Sequence, residues 1–367
     1  MGMTRRALWL ATALFAAMFA TFAAQAQDAP AAPADVKLVK RGYGWLLTDA
    51  RGMSLYTYTA DQEEGRSACV AACPLMWPAL VAPADAKPQG EWSTVKLEDG
   101  SLQWAFRHKP LYTHARDSKP QDANGDAYDE KWYVAIREIA MPPGFRIVKT
   151  AEGHVLVDLQ RMTLYTAAAD KGGKSACNGS CVWQWRPVEA PWVAQMPSPD
   201  WNTITRADGT RQWAYKGQPL YRFVEDFTVG DKFGQNVSGH KPVVLEPSPG
   251  VPSWVTVQKS DGGELYADPK GMTLYAHDFV PTVRQAGEGI QRPMDWQPVL
   301  ATANDKPVGA WSIVDLPDGT KQWVFKGMRI YVNKRDSRPG ELNGVRSTDR
   351  VWMPLMTNGQ TMPGTGS

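Results

Sequence analysis

Four cysteines are the residues of this chain whose type and spacing most directly suggest chemistry. They occur as Cys69-x-x-x-Cys73 and Cys177-x-x-x-Cys181, 108 residues apart in matching loops. Two thiolates so placed could hold a soft ion such as Cu(I). In an oxidising compartment each pair instead closes into a local disulfide, Cys69 to Cys73 and Cys177 to Cys181, which is the expectation for an exported chain. The corresponding loop further on reads Gln285-Ala286-Gly287-Glu288, so one copy of the loop manages without cysteine.

Carboxylates recur as well. An Asp follows a Tyr by five residues in Tyr56 and Asp61, Tyr112 and Asp117, Tyr165 and Asp170, Tyr221 and Asp226, and Tyr331 and Asp336, whereas after Tyr275 the next acid is Asp278. Five similar copies with no base or nucleophile beside them point to a repeated structural job. A Tyr closing a strand corner and an Asp accepting backbone N–H groups in the following turn would do it. The five His residues, at 108, 114, 154, 240 and 277, form no His-x-x-x-His or His-Cys constellation, so a zinc site is unsupported. No nucleophile elbow accompanies a Ser-His-Asp set. The acidic run Asp122 to Glu130 has calcium-like oxygen spacing but lacks the Gly of the sixth loop position, and reads as a solvated turn. No catalytic residue is assigned, no cofactor is expected, and Cu(I) at the four Cys is the alternative metal reading.

The elements that would position these residues repeat six times. Leu/Ile-Tyr pairs end at Tyr56, Tyr112, Tyr165, Tyr221, Tyr275 and Tyr331, spaced 56, 53, 56, 54 and 56 residues apart. The alternation makes three odd–even pairs of units. Odd units carry Gly52-Met53-Ser54-Leu55-Tyr56, Arg161-Met162-Thr163-Leu164-Tyr165 and Gly271-Met272-Thr273-Leu274-Tyr275. Even units open on an alternating strand such as Trp92-Ser93-Thr94-Val95 and turn at Asp99-Gly100, Asp208-Gly209 or Asp318-Gly319. Asp-Gly between alternating segments signals a hairpin, since the turn needs positive φ. A second tight turn is expected at His108-Lys109, Gly217-Gln218 and Gly327-Met328. With no sustained helical period, the chain is all-β. Repeats of this length with four strands each predict a six-bladed propeller-like ring of antiparallel meanders; the alternative is three tandem modules of two packed sheets. The corresponding bounds are repeat modules at 38–140, 145–247 and 253–356, a linker at 27–37 and a tail at 357–367. Trp77, Trp185, Trp296, Trp104, Trp213 and Trp323 recur in register and are expected to form core layers.

Residues 1–26 read as a secretory signal: Arg5 and Arg6, an apolar run from Ala7 to Ala24, and Ala24-Gln25-Ala26 before Gln27. Removing them takes two Arg from the 40 basic residues and no acid from the 38, so the mature charge is zero. A neutral surface argues against nucleic-acid or anionic-membrane binding, which need a basic field. The 16 Trp and 28 Pro favour a turn-rich β body. After cleavage no stable membrane insertion is expected, and the protein should be periplasmic or secreted.

The chain resembles the bacterial secreted-repeat family of predicted lipoproteins with a Tyr-x-aromatic-x-x-Asp motif, whose biochemical function is not established. The motif stands intact as Tyr56-Thr57-Tyr58-Thr59-Ala60-Asp61 and Tyr221-Arg222-Phe223-Val224-Glu225-Asp226. The aromatic is replaced at His114, Ala167 and Asn333. Ser67-Ala68-Cys69 through Trp77-Pro78 and the Asp-Gly-x-x-Gln-Trp hairpins extend the resemblance over residues 39–356. It implies that an odd–even pair can stand alone. The first Cys after the apolar run is Cys69, so the family's lipid attachment is not expected here. Separately, Cys69 to Pro74 is similar to the Cys-x-x-x-Cys-Pro of periplasmic copper chaperones of cytochrome oxidase, although Cys181 is followed by Val182. The leading expectation is an exported, non-enzymatic β-repeat protein binding an envelope or extracellular ligand. A periplasmic copper or redox protein and an enzyme acting on extracellular polymer are the alternatives.

Overall fold

A computed structural model describes residues 31–62, 65–150, 152–227, 231–260, 263–277, 295–346 and 352–357. The expected signal peptide, linker residues 27–30, Asp278, the loop at 285–288 and the tail from 358 lie outside the described residues. The chain is all-β: antiparallel sheets of two to seven strands, with, among the described residues, only the four-residue α-helices Cys73–Met76 and Cys181–Gln184 and two 3-10 turns beside them.

Each odd unit opens with a hairpin, Val36–Arg41 on Gly44–Asp49, Phe145–Thr150 on Gly153–Asp158, and Thr256–Ser260 on Gly263–Ala267. Each even unit opens likewise, Trp92–Lys96 on Leu102–Phe106, Trp201–Thr205 on Arg211–Tyr215, and Trp311–Asp315 on Lys321–Phe325. The Asp-Gly pairs sit in the loops of these even hairpins. Only the Gly takes positive φ, +86° at Gly100, +83° at Gly209 and +79° at Gly319. The Asp instead accepts the backbone N–H two residues on, from Ser101, Thr210 and Thr320. The second turn falls one residue earlier than its expected place. Phe106 pairs with Lys109, Tyr215 with Gln218 and Phe325 with Met328, so the turn residues are Arg107-His108, Lys216-Gly217 and Lys326-Gly327. Both members of each take positive φ, the twist that a two-residue hairpin loop favours.

The six-bladed ring of four-stranded meanders is not what these strands build. In a blade each unit would keep its own four strands, but here the units of a pair exchange them. The Leu/Ile-Tyr strands lie side by side, with Tyr56 opposite Tyr112, Tyr165 opposite Tyr221 and Tyr275 opposite Tyr331. The closing strand of the odd unit completes the even unit: Trp185–Pro187 pairs Tyr221–Phe223, and Trp296–Pro298 pairs Met328–Asn333. The closing strand of the even unit completes the odd one, as Trp132–Val134 on Tyr56–Tyr58, His240–Pro242 on Tyr165–Ala167 and Trp352–Pro354 on Leu274–His277. Among the described residues every ladder joins strands of one odd–even pair. Repeat length sets how many strands a unit supplies but not which unit receives them.

Successive residues of a strand face opposite sides, and the Leu/Ile-Tyr strands use both. Leu55 and Leu111 pack in one cluster with Leu47, Trp92 and Trp104, while Tyr56 and Tyr112 pack in another with Trp77 and Trp132. Leu164 and Leu220 are divided from Tyr165 and Tyr221 in the same way, as are Leu274 and Ile330 from Tyr275 and Tyr331. Burial of each such side chain contributes roughly 1.5–3 kcal/mol, so the pair of central strands carries much of the stability of its unit pair. All six recurrent Trp are buried in these clusters.

Candidate functional site

The Tyr and Asp of the motif meet across the unit boundary. Tyr56 Oη donates to Asp117 at 2.6 Å and Tyr112 Oη to Asp61 at 2.9 Å. Tyr165 donates to Asp226 at 2.6 Å, Tyr221 to Asp170 at 2.8 Å and Tyr275 to Asp336 at 2.8 Å. Each of these five Tyr bonds the Asp of the partner unit, because the two Tyr strands are adjacent and antiparallel. The second carboxylate oxygen accepts a backbone N–H in the loop that follows, from Ala68, Asn124, Ala176, Phe233 and Asn343. Burial raises the Asp61, Asp226 and Asp336 carboxyls above their ordinary range despite these bonds. Burial also pushes the Tyr221 hydroxyl up to about 12. Such a hydroxyl is a poor acid at neutral pH, and the crossed pairs tie the two Tyr strands of a unit pair together.

The cysteines are paired as Cys69–Cys73 and Cys177–Cys181. Cys69 and Cys177 are buried among the Tyr and Trp of their clusters. Among the described residues no group of three His, Cys, Asp or Glu could hold a metal ion. In the acidic run, Asp122 accepts the backbone N–H of Ser118 and Lys119, while Asp126 turns away from the loop. His240 stacks on Trp185 at 3.8 Å, in the place that Trp132 and Trp352 take against Trp77 and Trp296.

Asp126 leads to a different place. A cleft of about 440 Å³ opens where the three unit pairs meet. Asp126 and Tyr43 come to it from the first pair, Lys149 and His154 from the second, and Trp311 and Lys326 from the third. Lys149 Nζ donates to Asp126 Oδ2 at 2.5 Å, and Lys326 Nζ donates to the main-chain oxygen of the same Asp126. Tyr43 stacks on His154 with ring centres 3.6 Å apart. Arg41 Nε donates to Glu246 Oε1 at 2.8 Å, and the Gly42 N–H to Oε2 at 2.7 Å. Gly42 lies against the Leu245 backbone oxygen so closely that a Cβ would have no room.

Burial, with the charge of Lys149 next, lowers the Lys326 ammonium to about 7, although Asp126 pulls the other way. Burial and Lys149 likewise hold His154 at about 4. Burial would raise the Asp126 carboxyl, but the two lysines outweigh it and hold it well below the usual range. At neutral pH the cleft therefore contains an ionised Asp126 that accepts from Lys149, a neutral imidazole and a Lys326 amine of lowered basicity. Such a wall can bind an anion or a carbonyl oxygen and can present a nitrogen lone pair.

Of the residues weighed from the sequence, Asp122 and Asp126 of the acidic run and His154 line this cleft, whereas the Cys and the motif Tyr and Asp do not, and its key residue, Lys326, carries no local mark. Arg107, Lys216 and Lys326 are equivalent cations in the same turn of three hairpins. Arg107 is exposed and paired with Glu91, Lys216 is exposed, and Lys326 is only 5% exposed. Packing between unit pairs makes that distinction.

The family model for a secreted repeat of unknown function matches residues 37–81, 93–136, 146–189 and 202–244. These matches are the odd and even units of the first two pairs. No curated protein and no solved structure matches the chain. Among the described residues no helix is long and apolar enough to cross a membrane. The chain thus carries four secreted repeats of this family of unknown function, two in each of its first two unit pairs.

Proposed function

We propose that this secreted-repeat protein is a non-enzymatic binding protein of the cell envelope or exterior, built as three tandem odd–even modules, whose ligand seats in the cleft between them. The observation that carries the reading is the burial of Lys326 beside the Lys149–Asp126 pair on that cleft wall. Burying a cation against another cation is costly for a fold that only needs to pack. The surplus of positive charge suits a small anionic molecule, and the neutral mature surface disfavours a polymeric anion. The crossed Tyr–Asp pairs and the Cys loops then serve as scaffold.

Native mass spectrometry and thermal shift of the mature protein against small carboxylates and phosphates test this. The expected result is a saturable stabilisation that Lys149→Met weakens at least roughly tenfold, as loss of a charged hydrogen bond should. Binding untouched by Lys149→Met and by Arg41→Met would overturn the cleft as the site.

A further inference from the structure

We infer that Lys326 is a covalent capture site, whose amine condenses with the carbonyl group of a small anionic aldehyde or oxo acid held in the cleft. The inference rests on the cleft being a ligand site and names the ligand class. Three features of the geometry carry it. Lys326 lies on a two-residue turn with both φ values positive, +49° at Lys326 and +74° at Gly327, so the lysine is presented by a rigid hairpin end. Its Nζ donates to the Asp126 main-chain oxygen, which orients the amine while the Asp126 carboxylate is occupied by Lys149 at 2.5 Å. Lys149 and Lys326 thus converge on one residue, and a ligand whose carbonyl reaches Lys326 brings its anionic group toward Lys149.

Such surroundings suit nucleophilic catalysis by lysine, because desolvation and a neighbouring cation favour the neutral amine. Lys326 is poised near 7 for these two reasons, in that order. The neutral nitrogen adds its lone pair to the carbonyl carbon, and its proton passes to the carbonyl oxygen to give a carbinolamine. Nitrogen then expels that oxygen as water, so one C–N double bond replaces one C–O double bond. No oxidant or reductant is consumed, and hydrolysis returns the ligand. Asp126, Lys149, His154 and Tyr43 face this step, with Arg116 against the Gly327 turn and Arg41, Lys119, Asp122 and Glu246 on the same cleft wall; Asp126 stays ionised and His154 neutral at pH 7.

The test uses the mature wild-type protein with glyoxylate and cyanoborohydride, followed by peptide mass mapping. Reduction of the imine leaves a carboxymethyl group on the lysine. Lys216, in the equivalent turn but exposed, is the internal reference. At pH 7 the neutral fraction at Lys326 is about a thousandfold that of an ordinary lysine. Lower basicity and partial enclosure reduce the advantage, so labelling at Lys326 should exceed that at Lys216 by roughly tenfold or more. Glycolate, which lacks the carbonyl, should slow it. Lys149→Met should move the rise of labelling to higher pH, a shift that a purely structural Lys326 would not produce. Labelling of Lys326 no faster than Lys216 in the wild-type protein overturns the inference. Stabilisation by non-carbonyl anions is read separately, so the cleft can stand as a binding site when the imine fails, and preferential labelling without protection by glycolate counts against the anionic-ligand assignment.

Discussion

The exchange of Tyr–Asp partners predicts a pattern of energetic coupling opposite to what the motif suggests. Tyr165→Phe removes a hydroxyl that donates to the Asp226 carboxylate at 2.6 Å in a buried cluster. Hydrogen bonds to charged groups are worth about 1.5–3 kcal/mol, and Asp226 keeps the backbone bonds from Phe233 and Gly234. We therefore expect a loss of about 2 kcal/mol. Local opening should then accelerate hydrogen exchange at the Tyr165 and Tyr221 amides about 30-fold, by the usual conversion of 1.4 kcal/mol per tenfold. Exchange is the suitable assay, because a chain of several unit pairs is not expected to unfold in one step. Combining Tyr165→Phe with Asp226→Asn should cost less than the sum of the single losses by about 1–2 kcal/mol. With Asp170→Asn, whose partner is Tyr221, the losses should add within about 0.5 kcal/mol. Coupling of Tyr165 to Asp170 in place of Asp226 would refute the exchanged topology.

Gly125, Gly234 and Gly344 each follow a motif Asp by eight residues and sit against a Trp ring; a Cβ at Gly234 would lie 2.8 Å from Trp185 and 2.9 Å from Tyr165. Gly234→Ala should cost about 1–3 kcal/mol through overpacking, seen as faster exchange in the second pair alone; an unchanged rate there would contradict the packing. Cys69→Ser and Cys177→Ser should each cost clearly less than the roughly 3 kcal/mol of a 15-residue loop, because each loop is far shorter; thiol titration of the exported wild type should find no free thiol. Lys326 is depressed in the folded state, so the unfolded chain binds more protons between about 7 and the ordinary 10.5. Stability should accordingly rise with pH across that window, relative to Lys326→Met, and pH-dependent denaturation showing no such slope would place the amine in water.

The period-two alternation, the Asp-Gly pairs and the sixfold Leu/Ile-Tyr spacing were enough to establish an all-β repeat chain, its pairing by twos and the burial of the recurrent Trp. These are local properties: alternation fixes which side chains share a face, and an Asp-Gly pair fixes a turn whatever surrounds it. The exchange of closing strands is not local. Trp185 and Trp132 belong to strands of similar composition, and any of them could pair with its own unit or with the next. Only the simultaneous burial of both faces of the Tyr strands selects the partner. The same holds for the motif, whose Tyr and Asp are five residues apart in sequence yet bond residues 51 or 61 positions away. The cleft lies furthest from sequence, since Arg107, Lys216 and Lys326 are chemically alike and locally folded alike. What separates Lys326 is that a different unit pair covers it, and burial beside Lys149 and Asp126 then turns a surface cation into an amine near its midpoint.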